Sequence, residues 1–246
     1  MTQETNKVAV VTGASRGIGA AIARRLAADG FVTIVNYSGS EAAAESIVQE
    51  IEQAGGRARS ARADVGDADA VRRMFEAAET AFGGVDVLVN NAGVMGLAPI
   101  GATDDATFDR LIAINLKGTF NTLREAANRL REGGRIINFS SSVVGLYQPT
   151  YGIYAATKAG VEAMTHVLSK ELRGRSITVN TVAPGPTATD LFLNGKSQDV
   201  VDQLARLAPL ERLGQPDDIA NAVAFLAGPD GAWINGQVLR ANGGII

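Results

Sequence analysis

Short runs of β-branched and aliphatic residues recur along the chain, with amphipathic stretches between them. The runs are KVAVVT (7–12), FVTIVN (31–36), RARSARAD (57–64), VDVLVN (85–90), RIINFSS (135–141), ITVNTVA (177–183) and QVLRA (237–241). Branched side chains suit a pleated, half-buried surface, so seven strands are predicted from these runs. They are nearly continuous in apolar character, which fits parallel strands covered by helices on both faces. The stretches between them carry helical spacing. Ile18, Ile22 and Leu26 return every four residues while Arg24 and Arg25 face away, and Val71, Met74, Phe75 and Ala78 repeat the pattern after Asp67, a residue suited to cap a helix start. Alternating strands and helices imply an α/β fold, a doubly wound sheet of mainly parallel strands with helices on both faces. No linker, repeat or low-complexity tract breaks the series, so residues 1–246 are expected to form a single domain.

Composition narrows the function classes. Hydrophobic residues make up 46% of the 246, enough for a sizeable core, while a formal net charge of -3 with scattered arginines argues against a nucleic-acid or anionic-membrane surface. There is no cysteine and one histidine, His166, which excludes disulfides, thiolate metal sites and multi-histidine sites, so no metal is expected and His166 reads as structural. The polar start, MTQETNK, leads directly into the first strand-like run, so neither a signal peptide nor a membrane span is expected and a cytoplasmic setting is the default. Asp104 and Asp105 read as a helix start rather than as catalytic acids.

The first candidate chemistry lies at the first strand-to-helix turn, TGASRGIG (12–19). Gly13, Gly17 and Gly19 let the backbone turn sharply and approach a ligand, and the helix-start N–H groups favour a pyrophosphate; Ser15, Arg16 and Ile18 complete the loop. This placement predicts a Rossmann-type dinucleotide site. An acidic residue ending the second strand would select a free ribose, but Asn36, Tyr37 and Ser38 stand there instead, and Arg16 offers a guanidinium fork for a 2′-phosphate. NADP(H) is therefore expected over NAD(H). Asp64 and Val65 are expected to end the third strand, and NNAG (90–93), with Asn91, Ala92 and Gly93, the fourth; both fall at carboxyl strand ends, where such sheets bind ligands.

The second candidate is YGIYAATK (151–158), where Tyr151 and Tyr154 both precede Lys158. A carbonyl reduction needs an acid near the substrate oxygen, and a phenol can serve if a nearby ammonium favours phenolate. Tyr154 is four residues from Lys158, so the two share a helix face if the segment is helical.

TGASRGIG, NNAG (90–93), Asn115 within INLKG, the serines at 140–142 and YAATK together resemble the short-chain dehydrogenase/reductase family, with APG (183–185) and ERLGQPDDIA (211–220) extending the likeness over nearly the whole chain. The nearest motif likeness is to 3-oxoacyl carrier-protein reductases. The resemblance implies an NADPH-dependent carbonyl reductase, reversible as an alcohol dehydrogenase, with Tyr154 as general acid/base. Lys158 would lower the phenol pKa and bind the nicotinamide ribose, Ser141 would bond the substrate oxygen with Ser142 as fallback, and Asn115 would hold a water in a proton relay. Pro184, Gly185, Thr187 and Thr189 would lie near the nicotinamide carboxamide and phosphates.

The seven-residue spacing of Tyr151 from Lys158 matches enoyl reductases, a second enzymatic reading, and a non-catalytic NADP-binding sensor is a third. The stretch Pro186–Glu211 is expected to form a partly helical, mobile lid over an apolar pocket with Met95, Leu97, Val143, Leu146 and Tyr147. A hydrophobic ketone or a 3-oxoacyl compound is then the expected substrate. Family members commonly assemble as tetramers, so a homo-oligomer is expected, with Trp233 as a packing or subunit-contact residue.

Overall fold

The structure is a computed structural model describing residues 7–246; the reading of the N-terminal segment falls largely on residues outside that range. Seven strands form one sheet: β1 (Val8–Val11), β2 (Val32–Tyr37), β3 (Arg57–Arg62), β4 (Val85–Asn90), β5 (Leu130–Phe139), β6 (Thr178–Pro184) and β7 (Val238–Ala241). Their order is β3-β2-β1-β4-β5-β6-β7, and every neighbouring pair is parallel. The chain leaves β1 toward one edge and returns at β4 to build the other. The loops after β1 and β4 therefore diverge and leave a crevice at the carboxyl end of the sheet.

Two cores follow from the pleat. In β1, Ala9 and Val11 point into one layer and Val8 and Val10 into the other. Helices α1 (Gly17–Ala28), α2 (Glu41–Gln53) and α10 (Pro216–Ala227) cover the first face, with Ile22, Leu26, Ile47 and Val223 packed on it. On the second, α3 (Ala68–Phe82), α5 (Gly118–Arg129) and α7 (Gly152–Glu171) contribute Val71, Phe75, Leu123 and Leu168. Asp67 caps α3 as expected, its carboxylate accepting from Asp69 N at 2.9 Å and Ala70 N at 3.2 Å.

Two of the expected strands are present with different bounds. RARSARAD alternates rather than staying apolar, because β3 is an edge strand with Arg57, Arg59 and Arg62 turned outward, and it ends at Arg62, before Asp64 and Val65. Lysine or arginine on an edge discourages pairing with another sheet. β5 begins at Leu130, ahead of the predicted Arg135, because an irregularity between Val85 and Val87 absorbs the glycines at 133 and 134.

The remaining elements surround the crevice. α4 (Asp105–Leu111) runs through a π-helical segment, Ile112–Lys117, into α5. α6 (Val143–Leu146) follows β5, and α8 (Asp190–Leu193) and α9 (Gln198–Arg206) follow β6. Among the described residues no helix is long and apolar enough to cross a membrane.

Candidate active site

The glycine loop is held by side chains that bond to main chain. Asn91 Nδ2 donates to the carbonyls of Thr12 at 2.9 Å and Gly13 at 3.1 Å, while Thr12 Oγ1 accepts from Ala92 N at 3.0 Å. Gly13 and Gly17 adopt φ of +61° and +57°, a region that favours glycine. A Cβ at Gly19 would overlap the Gly13 carbonyl and lie 2.5 Å from Asn91 Nδ2. Only a bare backbone fits. Arg16 is the extended N-cap of α1, makes no side-chain cap and is exposed beside the first helical turn. The cradle closes across the sheet, where Thr189 at the start of α8 comes within 3.6 Å of a Cβ placed on Gly17. These features fit a dinucleotide: a main-chain nest at a helix start, with no side chain filling it.

The trio at the end of β2 divides differently from expectation. Asn36 is buried and its side chain is committed to main chain, accepting from Gly13 N at 3.2 Å and donating to Ala61 and Ala63 carbonyls, each at 3.1 Å. It therefore supports the loop from behind rather than facing a ribose. Tyr37 is also buried, and burial followed by the neighbouring Glu41 carboxylate pushes its phenol pKa up. Ser38 is exposed. Asp64 lies exposed with its carboxylate accepting from Gly66 N at 2.8 Å, and Val65 is buried, its carbonyl taken by the buried Asn121.

The chemistry-bearing side chains converge beyond β5. α7 places Tyr154 and Lys158 one turn apart, with Lys158 Nζ 5.7 Å from the Tyr154 ring centroid. Ser141 stands near enough to the Tyr154 hydroxyl to favour the phenolate, and its Oγ accepts from Val143 N at 3.4 Å. Its neighbours are engaged elsewhere: Ser140 Oγ donates to Glu162 Oε1 at 2.6 Å, and the buried Ser142 Oγ accepts from Asn242 Nδ2 at 3.0 Å. Of the three serines, Ser141 alone faces the phenol. Tyr151 is the N-cap of α7, half-buried, and meets the Tyr154 ring edge-on at 6.4 Å between centroids.

Electrostatics depart from the expected order. Burial pushes Tyr154 up to about 12, opposed by the nearby Ser141 and assisted by Tyr151. Burial also lowers Lys158 to about 8; the residue is 5% exposed and its ammonium donates to Phe139 O at 2.9 Å. The expected depression of the phenol by Lys158 does not occur here, because desolvation dominates and the ammonium is turned toward a carbonyl.

Asn115 lies in the π-helical segment, fully buried, and brackets the loop after β4 by accepting from Val94 N at 2.8 Å and donating to Val94 O at 2.9 Å. A Cβ on Gly93 would lie 3.3 Å from Asn115 Oδ1 and 3.6 Å from Lys158 Nζ, so that glycine separates the two. A π-turn inside an α-helix often marks a functional site. Pro184 ends β6, and Gly185 passes so close to Asn242 that a Cβ would lie 2.9 Å from its Cα. Thr187 is buried and donates to Gly185 O at 2.9 Å, whereas Thr189 caps α8.

The expected lid is partly helical, and α9 buries no residue of its own, with Leu207 and Leu210 exposed. Met95, Val143 and Leu146 are half-buried, whereas Leu97 and Tyr147 are exposed at the rim. His166 is exposed on α7, Asp104 caps α4 by accepting from Thr107 N at 2.6 Å, and no metal-holding cluster of acidic, histidine or cysteine residues occurs among the described residues. Trp233 is 99% exposed, which removes the reading of a packing residue within the subunit. Sequence reasoning missed Glu162, Asn121 and Asn242. Glu162 alone had a signal, its position eight residues beyond Tyr154 on the same helix face.

A family described as Enoyl-(Acyl carrier protein) reductase matches residues 13–246. A short-chain type dehydrogenase/reductase of Picea abies is 47% identical over 97% of this chain and 92% of its own length. The chain belongs to the short-chain dehydrogenase/reductase family. An Arabidopsis thaliana relative named NADPH-dependent aldehyde reductase-like protein, chloroplastic, is 43% identical over 98% of this chain and 94% of its own. Among solved structures, a short-chain dehydrogenase from Burkholderia cenocepacia in complex with NADP aligns with a TM-score of 0.92 and 38% identity, covering 99% of each chain. As a short-chain dehydrogenase/reductase the chain is an oxidoreductase, and the crevice described above is where its sheet would take a dinucleotide.

Proposed function

We propose that this protein reduces an apolar aldehyde or ketone, or a 3-oxoacyl compound, with NADPH. The observation that carries the reading is Tyr154 one turn from Lys158 on α7, with Ser141 beside its hydroxyl, opposite a glycine cradle with Arg16 at its rim. The names of the Arabidopsis and Burkholderia proteins support the choice of NADP over NAD. When bound, the nicotinamide supplies a hydride to the carbonyl carbon. Ser141 and Tyr154 hold the carbonyl oxygen between them, and Tyr154 delivers its proton to that oxygen as the alcohol forms. Burial keeps the phenol protonated at neutral pH, so the proton is present to be given, and releasing it requires the phenolate to be stabilised as the reaction proceeds. Lys158 offsets the phenolate charge left behind and would bond the nicotinamide ribose, and Asn115, across Gly93 from Lys158, is placed to hold a water that restores the proton. Gly13, Ser15, Gly17, Ile18 and Gly19 would take the pyrophosphate, Arg16 and Ser38 the 2′-phosphate, and Asp64 and Val65 the adenosine. Asn91, Ala92 and Gly93, with Pro184, Gly185, Thr187 and Thr189, would line the nicotinamide end. The segment of α8 and α9 would act as a lid.

A second reading, carbon–carbon double-bond reduction, is favoured by Tyr151, which is half-buried beside Tyr154. A panel of aldehydes, ketones, β-keto esters, 3-oxoacyl thioesters and enoyl thioesters, followed by NADPH and NADH oxidation, separates the readings. Carbonyl reduction faster with NADPH is expected. Turnover of enoyl thioesters alone would replace the reading, and NADPH binding with no turnover on any member would favour a sensor. Assembly as a cytoplasmic homo-oligomer, with four subunits as the expected number, belongs to the same proposal. The exposed Trp233 and the β7 edge with Leu239 offer a surface to a second copy.

A further inference from the structure

Three consecutive residues at the end of β5 meet one face of α7. Phe139 O accepts from Lys158 Nζ at 2.9 Å, Ser140 donates to Glu162 at 2.6 Å, and Ser141 comes near the Tyr154 hydroxyl. Tyr154, Lys158 and Glu162 follow one another at intervals of four, so they form a single stripe along the helix. Two members of that stripe belong to the proposed chemistry. The third, Glu162, does not, although it grips the residue next to Ser141.

Ser141 Oγ accepts only a long bond from Val143 N at 3.4 Å, and its hydroxyl proton has to stay available for the phenol or the substrate oxygen, so its position must be set by its neighbours. On its far side, Ser142 is tied to β6 and β7 through Pro184 O, which accepts from its N–H at 2.9 Å, and through Asn242. On its near side, Ser140 is tied to the helix that carries Tyr154. That second tie makes serine and phenol parts of one rigid body. An ionised acceptor suits the task, since hydrogen bonds to carboxylates are short and strong. The alternative tie, Lys158 to Phe139 O, uses an ammonium that the reaction itself requires.

The geometry points to Glu162 as a positioning residue that fixes the separation of Ser141 and Tyr154 through Ser140. The inference rests on the proposed carbonyl reduction for its kinetic readout only. Misplacing a reacting group by about 1 Å can cost on the order of 100-fold in rate, and loss of one of several ties should cost less, about 10-fold.

The test uses Glu162→Ala, Ser140→Ala, the double variant and Glu162→Gln, with Tyr154→Phe as reference, all in the full chain. Both alanine variants should lose about 10-fold in kcat while the KM for NADPH and its dissociation constant stay within about 2-fold. The double variant should be no worse than either single one, because both remove the same contact. Glu162→Gln keeps an acceptor oxygen and should recover most of the loss. A crystal structure of Glu162→Ala should show the Ser141 Oγ to Tyr154 Oη separation longer by about 0.5 Å or more. If Glu162→Ala does not fold, Ser140→Ala carries the same measurements.

Wild-type kcat in the alanine variants with an unchanged separation overturns the inference, as do additive losses in the double variant. An active Tyr154→Phe overturns the carbonyl-reductase reading instead, and the crystallographic separation then decides the role of Glu162 by itself.

Discussion

The two sides of the crevice are built on opposite terms. After β1, side chains hold main chain: Asn36, Asn91 and Thr12 spend their polar atoms on the glycine loop, so that bare backbone faces the ligand. After β5, main chain and neighbouring side chains hold the reactive ones: Phe139 O takes Lys158, Val94 brackets Asn115, and Ser140 and Ser142 are fastened so that Ser141 is presented. The first arrangement would recognise shape and charge that every dinucleotide shares. The second arranges particular functional groups, so single substitutions there should remove chemistry without removing binding.

The largest expected effect tests that division. Tyr154→Phe keeps the ring, its edge contact with Tyr151 and the fold, and removes only the proton donor. Turnover should fall by on the order of 1,000-fold or more while NADPH binding, followed by cofactor fluorescence, changes by less than about 2-fold. Weakened binding of comparable size would merge the two sides into one. Gly19→Ala is the complementary variant. Its Cβ meets a backbone carbonyl that cannot move aside cheaply, so NADPH affinity should fall by about 100-fold, equivalent to about 2.7 kcal/mol, with kcat at saturating cofactor within a few-fold of wild type. Equal affinity in isothermal titration would show that the cradle is not where the pyrophosphate sits.

The same division explains what the sequence reveals. The seven strands, the caps at Asp67 and Asp104, and the grouping of Ser141, Tyr154 and Lys158 were legible, because each depends on local periodicity or on spacing within one helix or strand end. Asn36 was misjudged because its partners, Gly13, Ala61 and Ala63, come from loops and strands that only the folded sheet brings together. The phenol pKa was misjudged for a related reason: spacing shows that an ammonium is close, but not that burial outweighs it or that the ammonium turns to Phe139 O. Trp233 was ambiguous between packing and contact, and its exposure is a property of the tertiary fold.

Lys158 sharpens the comparison through stability. Its pKa is lowered from 10.5 to about 8 by burial, so the folded state binds the proton less tightly than the unfolded chain does. The penalty is full below pH 8, shrinks as pH rises from 8 to 10.5, and vanishes above that range. Lys158→Met should therefore lose activity yet gain about 1–2 kcal/mol in urea unfolding at pH 7, less than the full shift implies because Phe139 O loses its donor. The gain should shrink when the same unfolding is repeated near pH 10. A destabilised Lys158→Met at pH 7 would mean that the ammonium is held in place by more than it costs to bury.

The smallest effect belongs to the first side of the crevice, at the exposed Arg16. Arg16 makes no side-chain cap and no salt bridge among the described residues, so removing it should disturb neither fold nor loop. A guanidinium that meets a 2′-phosphate at an open rim is worth about 1–2 kcal/mol after screening. Arg16→Ala should accordingly lower the ratio of kcat/KM for NADPH over NADH by about 10-fold, entirely through the KM for NADPH. The loss should diminish as salt is raised, since an exposed pair is screened within a Debye length. If the ratio is unchanged, Arg16 plays no part in cofactor choice. Selection of the 2′-phosphate would then fall to Ser38 and the start of α2, the other exposed groups at the end of β2.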